Sequence, residues 1–350
     1  MNEIRNILRE SVNRLFSDAL DWETLSSIEE NGWPEELWRQ VTEQGIHLVL
    51  ADEASGGMQG VWADAYPIIR ACGQHAVPLP IPEAIVASWL AQQAGYTLPD
   101  GVPGLIPQPL TSKNFTAGKI TLGEMVVPWG RNATYLVGLS SAQEGSELIV
   151  ALTKDTSCKE AYNLGLDPRD EFTSPLPILA RLPIDVEIDV VHWLGAMIRA
   201  AQIAGAGATC LELAVNYSCE REQFGKTLSR FQVIQHHLAN LAGTMASVDA
   251  MSAAAFQTLD RLGMSNQRRD ARFEIAAAKC RASEGVDKLT GLSHQVHGAI
   301  GFTYEYGLHF FTRKLWAWRA EFGGVAEWGE YLGRVACDRG GEKIWHTITE

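Results

Sequence analysis

Cys219-Glu220-Arg221-Glu222-Gln223-Phe224-Gly225-Lys226, followed by Phe231-Gln232, sets a permanent cation, an aromatic ring and a glycine where two long helical patterns meet. Arg221 can hold phosphate oxygens in a two-pronged geometry. Phe224 can cover an aromatic or ribose face. Gly225 is expected to end the preceding helix and let backbone come close to a ligand. Such a group suits a planar, doubly phosphorylated molecule. Alone, the same residues read more simply as a surface ion pair between Arg221 and Glu220 or Glu222, so context must decide.

The context is a second constellation, Gln295-Val296-His297-Gly298-Ala299-Ile300-Gly301-Phe302-Thr303. At Gly298 and Gly301 a Cβ would hold the backbone away from a ligand or forbid positive φ. The plainer alternative is a helix-ending turn. The histidines offer no metal pattern: His236 and His237 point to different helix faces, and His294 and His297 share a face without further ligands nearby. Cysteines 72, 158, 210, 219, 280 and 337 are scattered through apolar segments and are expected to behave as small hydrophobes. That pattern points to a reducing, cytoplasmic setting.

These residues need elements to hold them. A chain of 350 residues with 46% hydrophobic content has room for two or three domains. Up to about residue 100 the pattern is helical, with Ile4, Ile7, Leu8, Val12 and Leu15 recurring at steps of three and four. Trp33-Pro34-Glu35-Glu36-Leu37 predicts a helix start, and prolines 78, 80 and 82 precede a helix over Glu83 to Gln93. From 101 to 188, short apolar runs separated by Gly, Ser, Asn and Asp predict an antiparallel sheet or small barrel. From 189 onward the helical period returns. Phe231, Ile234, Leu238, Leu241, Met245 and Val248 form one apolar seam. A second, of small residues, runs from Leu194 to Val215, and Phe273 to His297 supplies a third helix.

Charge narrows the partners. The 42 acidic residues against 29 basic ones give −13, which disfavours nucleic acid. No apolar run approaches the roughly 18 residues of a membrane span. The richest, Val190 to Val215, is broken by His192, Arg199, Gln202 and Glu212, so a buried helix is expected rather than membrane insertion. Met1-Asn2-Glu3-Ile4-Arg5 lacks the apolar core of a signal peptide.

Taken in order and separated by two helix-length segments, the two motifs resemble the C-terminal part of the flavin-dependent acyl-CoA dehydrogenases. There they clasp the pyrophosphate and adenosine half of FAD. The match is good over roughly residues 190–340 and holds in outline before that. It implies a mainly α fold with a central β domain: an N-terminal helical domain (1–100), a small β-barrel (101–188) and a C-terminal four-helix bundle (189–350). It further implies FAD as cofactor, held by Arg221, Phe224, Gln232, Gln295, Gly298 and Gly301. An acyl-CoA substrate and an electron-transfer flavoprotein as electron acceptor complete the implied picture.

The chain departs from the family where the chemistry occurs. Dehydrogenating an acyl thioester needs a base for the proton α to the carbonyl, usually a desolvated carboxylate. The family's two positions for that glutamate fall on Gly323 and Gly195. Glu321 and Glu327 flank the first, and Glu321 is the candidate for a relocated base, although helix geometry is expected to turn both away. The ring-side Thr-Glu-Pro and Gly-Ser-Asp stretch is also missing; the matching region is Gly104-Leu105-Ile106-Pro107-Gln108-Pro109-Leu110. In family dimers the FAD spans the interface, so a subunit lacking its own site can still complete its neighbour's. The expected protein is therefore the reduced subunit of a heteromeric α2β2 acyl-CoA dehydrogenase of fatty acid or steroid side-chain catabolism, paired with a catalytic subunit. A self-sufficient homo-oligomer with a relocated carboxylate and a non-enzymatic helical scaffold are the alternatives.

Overall fold

The structure is a computed structural model that describes residues 3–142, 145–264 and 270–349. Five helices come first: α1 (Glu3–Ala19), α2 (Trp22–Asn31), α3 (Glu35–Glu43), α4 (Trp62–Gln74) and α5 (Ile81–Gln93). α3 starts directly after Trp33-Pro34 with Glu35 and Glu36 in its first turn, where the positive end of the helix dipole favours acids. Val12 and Phe16 of α1 are fully buried, while Ile7 of the expected stripe is exposed.

Nine strands follow: β1 (Pro103–Leu105), β2 (Phe115–Thr116), β3 (Lys119–Ile120), β4 (Val126–Pro128), β5 (Tyr135–Ser141), β6 (Ser146–Leu152), β7 (Cys158–Lys159), β8 (Arg169–Phe172) and β9 (Leu176–Ile184). Their ladders make a six-stranded sheet in the order β1-β5-β6-β9-β3-β2 and a three-stranded sheet in the order β4-β8-β7. β1 joins β5 in parallel, whereas β5, β6 and β9 form an antiparallel meander. Successive side chains of a strand face opposite ways. Tyr135, Val137 and Leu139 of β5 accordingly join the core shared with the helices, and Leu136 joins a separate core with Ile106, Val127 and Phe172. Both faces being buried explains why β5 reads as a nearly unbroken apolar run.

The rest is helical: α6 (Val190–Glu220), a two-residue-strand hairpin of β10 (Glu222–Gln223) and β11 (Lys226–Thr227), α7 (Gln232–Leu262), α8 (Arg272–His297), α9 (Leu308–Ala320), α10 (Val325–Arg339) and α11 (Gly341–Thr349). α6 is the axis, touching α4, α7, α8 and α9. It is long and apolar enough to cross a membrane, but 83% of its most apolar window is buried inside the protein. Its small-residue seam lets α4 come within backbone contact. A Cβ added at Gly205 would sit 1.9 Å from the Arg70 carbonyl oxygen, and one at Gly73 would sit 2.0 Å from that of Gln202. Neither neighbour can swing aside, because both are main chain.

Replacing Gly205 by Ala should therefore destabilise the fold by about 1–3 kcal/mol through overpacking, despite alanine's better helix propensity. Urea unfolding checks it; an unchanged midpoint would show that α4 and α6 can separate freely.

Candidate functional site

The two motifs meet at one end of α6. The helix stops at Glu220, and Arg221, in extended conformation, donates its N–H to the Tyr217 carbonyl (2.9 Å). Phe224 and Gly225 then take φ of 54° and 78°, the left-handed pair that a two-residue hairpin turn requires. Gly225 thus serves a hairpin and not, as the spacing suggested, the end of the helix. The turn holds Phe224 out from the surface at 92% exposure, its ring edge-on to Phe231 (6.2 Å). Gln232, also exposed, opens α7.

On the other side of the junction, Gln295 is exposed on the last turn of α8, and Gly298 caps that helix at φ 65°. Gly301 is buried; a Cβ there would lie 3.0 Å from His297 Cβ. Tyr217, one turn before Arg221, stacks on His297 (4.9 Å) and meets Tyr306 edge-on (6.0 Å). The His297 ring is also bonded to the Ser293 carbonyl (2.7 Å) and to Tyr306 Oη (3.2 Å). His294 stacks on Phe302 (4.1 Å) and contacts Thr312. His297 therefore ties one motif to the other, and His294 packs the second motif against α9. Among the described residues Arg221 pairs with neither Glu220 nor Glu222, so its guanidinium is available to a ligand. A free guanidinium, an exposed ring, two amides and exposed positive-φ glycines fit the phosphate and adenosine parts of FAD.

A cleft of about 480 Å³ between the sheets and the helices is where the ring-side contacts would be. Its walls carry the polar groups of Gln108, Arg169, His192 and Glu321. Pro107 and Pro128 line it, and proline offers no N–H. Of the two positions the resemblance assigns to the base, Gly195 is covered by the Phe322 ring, which lies 2.2 Å from where a Cβ at Gly195 would be. A side chain at Gly323 would instead run into Trp328 Nε1 (2.6 Å) and the Glu327 carboxylate. Phe322 is therefore the residue that packs over Gly195.

Glu321 is not turned away as helix geometry suggested. α9 ends at Ala320, and Glu321 points inward in extended conformation. Its oxygens accept from Arg169 Nε (2.9 Å), Arg199 Nε (2.7 Å) and Asn163 Nδ2 (2.8 Å). Burial alone would raise its pKa, but the guanidiniums of Arg169 and Arg199 hold it down at about 2. So firmly ionised an anion is a poor proton acceptor near neutrality, which argues against a role as base. Arg199 continues to Glu83 (2.5 Å), both side chains being 1% exposed. At the cleft mouth Glu327 bonds His192 (2.8 Å), whose ring stacks on Trp328. Arg169, Asn163, Phe322 and Glu83 escaped the sequence reading. Its one signal was Arg199, a lone cation inside an apolar helix.

Comparison with known proteins bears on the fold. Residues 194–324 match the acyl-CoA dehydrogenase C-terminal domain family. The acyl-CoA dehydrogenase IpdE2 of Mycobacterium tuberculosis (strain ATCC 25618 / H37Rv) is 27% identical over 323 residues, covering 89% of this chain and 91% of that protein. FadE34 of the same organism, also an acyl-CoA dehydrogenase, is 29% identical over 300 residues, 81% of this chain and 40% of that one. Among solved structures, the Tcur3481–Tcur3483 steroid acyl-CoA dehydrogenase G363A variant superposes with a TM-score of 0.83 at 20% identity, covering 96% of this chain and 98% of that one. The ChsE4–ChsE5 complex of Mycobacterium tuberculosis gives 0.82 at 18% identity, covering 95% and 97%. Residues 194–324 thus match the acyl-CoA dehydrogenase C-terminal domain, and the chain as a whole has the acyl-CoA dehydrogenase fold.

The Glu321 contacts make a pH prediction. A carboxylate depressed in the folded state stabilises above its unfolded pKa of about 4.3, and the contribution fades as pH falls toward 2. Glu321→Gln should cost about 2–3 kcal/mol at pH 6, leaving two buried guanidiniums short of an anion, and about half that at pH 3. Urea titrations at the two pH values measure it; an equal cost at both would mean the carboxylate charge is not what holds the turn.

Proposed function

We propose that this chain is the reduced subunit of a heteromeric acyl-CoA dehydrogenase. In this reading it lends Arg221, Phe224, Gln232, Gln295 and the Gly298–Gly301 turn to the nucleotide tail of a FAD whose ring lies in a catalytic partner. The observation that carries the reading is the contrast between the two ends of the chain. Phe322 fills the space over Gly195 while Glu321 is held as an anion, yet the nucleotide motif remains exposed with an unpaired guanidinium.

When bound, FAD supplies the hydride acceptor for α,β-dehydrogenation of an acyl-CoA thioester. Arg221 contributes fixed positive charge against the pyrophosphate, and Phe224 a face for the adenosine. The positive-φ turns at Gly225 and Gly298 let main chain approach. The base belongs to the partner. Likeness to a protein described as a steroid acyl-CoA dehydrogenase and to the ChsE4–ChsE5 complex favours a bulky acyl group and a two-gene assembly. The family resemblance favours an electron-transfer flavoprotein as the next electron carrier, and the unpaired cysteines suit a cytoplasmic setting.

Expressed alone, the chain should purify without stoichiometric flavin; with its catalytic partner, the complex should be yellow and active. Arg221→Ala in that complex should weaken FAD retention about tenfold or more, while Glu327→Gln should leave turnover unchanged. Flavin content and acyl-CoA oxidation read both. Stoichiometric flavin with turnover from the lone chain would end the proposal, and loss of activity in Glu327→Gln would move it to a self-sufficient enzyme.

A further inference from the structure

A pocket of about 430 Å³ lies between the turn after α3, the last turns of α5, the loop from α5 to β1 and the start of β5. We propose that it binds a small organic ammonium ion, held by Asp100 and the Tyr135 hydroxyl. The pocket shares no residue with the Arg221 motif or with the cleft at Glu321, and the proposal does not rest on the flavin reading.

Most polar groups of the wall are already committed. Thr42 donates to the Trp38 carbonyl (2.9 Å), Ser88 to that of Ile85 (2.9 Å), and the Gln92 amide to Asp52 (3.2 Å). Three lining groups make no hydrogen bond or ion pair with any described residue: the Tyr96 and Tyr135 hydroxyls and the Asp100 carboxylate. Tyr135 is only 2% exposed, yet its hydroxyl is not sealed off from the pocket. Buried hydroxyls are rarely left without a partner. Burial, and after it the neighbouring Asp100 and Tyr96, raise its pKa. It therefore stays a neutral hydroxyl, able to accept a hydrogen bond as well as donate one.

The backbone fixes Asp100 beside this hydroxyl. Pro103 pairs with Tyr135 in the parallel ladder of β1 and β5. Thr134 pins the residues just before: its Oγ1 accepts from the Val102 N–H (3.0 Å), and its own N–H donates to the Val102 carbonyl (2.8 Å). Gly101, at φ 139°, allows the close approach, since a Cβ there would sit 2.6 Å from that Oγ1. The charge of the guest follows from the walls. No lysine or arginine lines the pocket among the described residues, and burial holds His47 down at about 4, so its ring is uncharged. The formal charge in the lining is the Asp100 carboxylate. An ammonium group can bridge that carboxylate and the Tyr135 oxygen through charge-assisted hydrogen bonds, with the phenol rings favouring a cation at their faces. An anion would be repelled, and a neutral guest would gain neither attraction.

Titration calorimetry of the full chain with n-butylammonium and with n-butanol, near neutral pH, tests the proposal. Butylammonium should bind saturably in the millimolar range or below, and butanol, its neutral counterpart, at least about tenfold more weakly. Asp100→Asn, at an exposed position, should erase that difference. Tyr135→Phe, which keeps the ring and removes the hydroxyl, should weaken butylammonium by about threefold or more. Asp100 is one of 42 acidic residues, so a cation drawn only by the net charge of −13 would bind Asp100→Asn as well as the wild type. No saturable butylammonium binding, equal affinity for butanol, or an affinity unchanged in either variant would overturn it.

Discussion

A buried chain of alternating charges, Glu83–Arg199–Glu321–Arg169, holds the parts of this protein together. Its members come from α5, α6, the turn after α9 and β8, so one set of contacts joins both helical parts to the sheets. Ions taken out of water are expensive unless each finds well-placed partners. Here Arg199 has two carboxylates and the Gln202 amide, and Glu321 has two guanidiniums and an amide. Taking away one member would leave the others as buried charges short of a partner. With Glu321 fixed, the next residue has little choice. Phe322 adopts φ 54°, uncommon outside glycine, and lies over Gly195 with the Arg199 guanidinium 5.6 Å from its ring. The shape of the cleft is thus a consequence of the charge chain.

α9 is locked by the same logic. Its last carbonyls, Trp318 and Arg319, accept from Lys279 Nζ at 2.9 Å each, which places a buried cation at the negative end of the helix. Burial pushes Lys279 down to about 7 even with Glu321 nearby. The carbonyls and the Ser283 hydroxyl satisfy its donors whether or not it carries a proton. Farther back on the helix, Lys314 reaches Asp167 in the loop before β8. A turn held from both sides in this way has little freedom to open the cleft around a ring.

Much of this was legible in the sequence because it is local. The helix–sheet–helix order follows from apolar period, and the Arg221 and Gln295 motifs stand out by residue types at short fixed spacing. Gly225 was misread because a glycine after a helical run suits a helix stop and a hairpin turn alike; the left-handed φ of Phe224 beside it decides, and no propensity foretells that. The charge chain was not legible, since Arg199 and Glu83 are 116 residues apart and Arg169 and Glu321 are 152 apart. A lone arginine in an apolar helix announces that a partner exists without saying which. Phe322 went unnoticed for a related reason: attention to a missing carboxylate looks for what is absent, whereas the structure shows what took the space.

The two ends of α6 therefore carry opposite physical characters. Its first half, around Gly195 and Arg199, is buried among ion pairs and an aromatic plug. Its last turns lead to an exposed arginine, an exposed phenylalanine and the first turns of α7, where Gln232, Val233, Gln235 and His236 face outward. Apolar residues left at a surface, such as Phe224, Val233 and Phe302, cost free energy in water unless something covers them. The Arg221 motif sits among them. A ligand held only by its tail gains little affinity from one exposed arginine and a ring, because ordering it offsets much of the contact energy. The same residues become effective when another surface already fixes the rest of the ligand, for then the ordering cost is shared. In the proposed reading, a chain with Phe322 packed over Gly195 and Arg221 left exposed is suited to finishing a site that begins elsewhere.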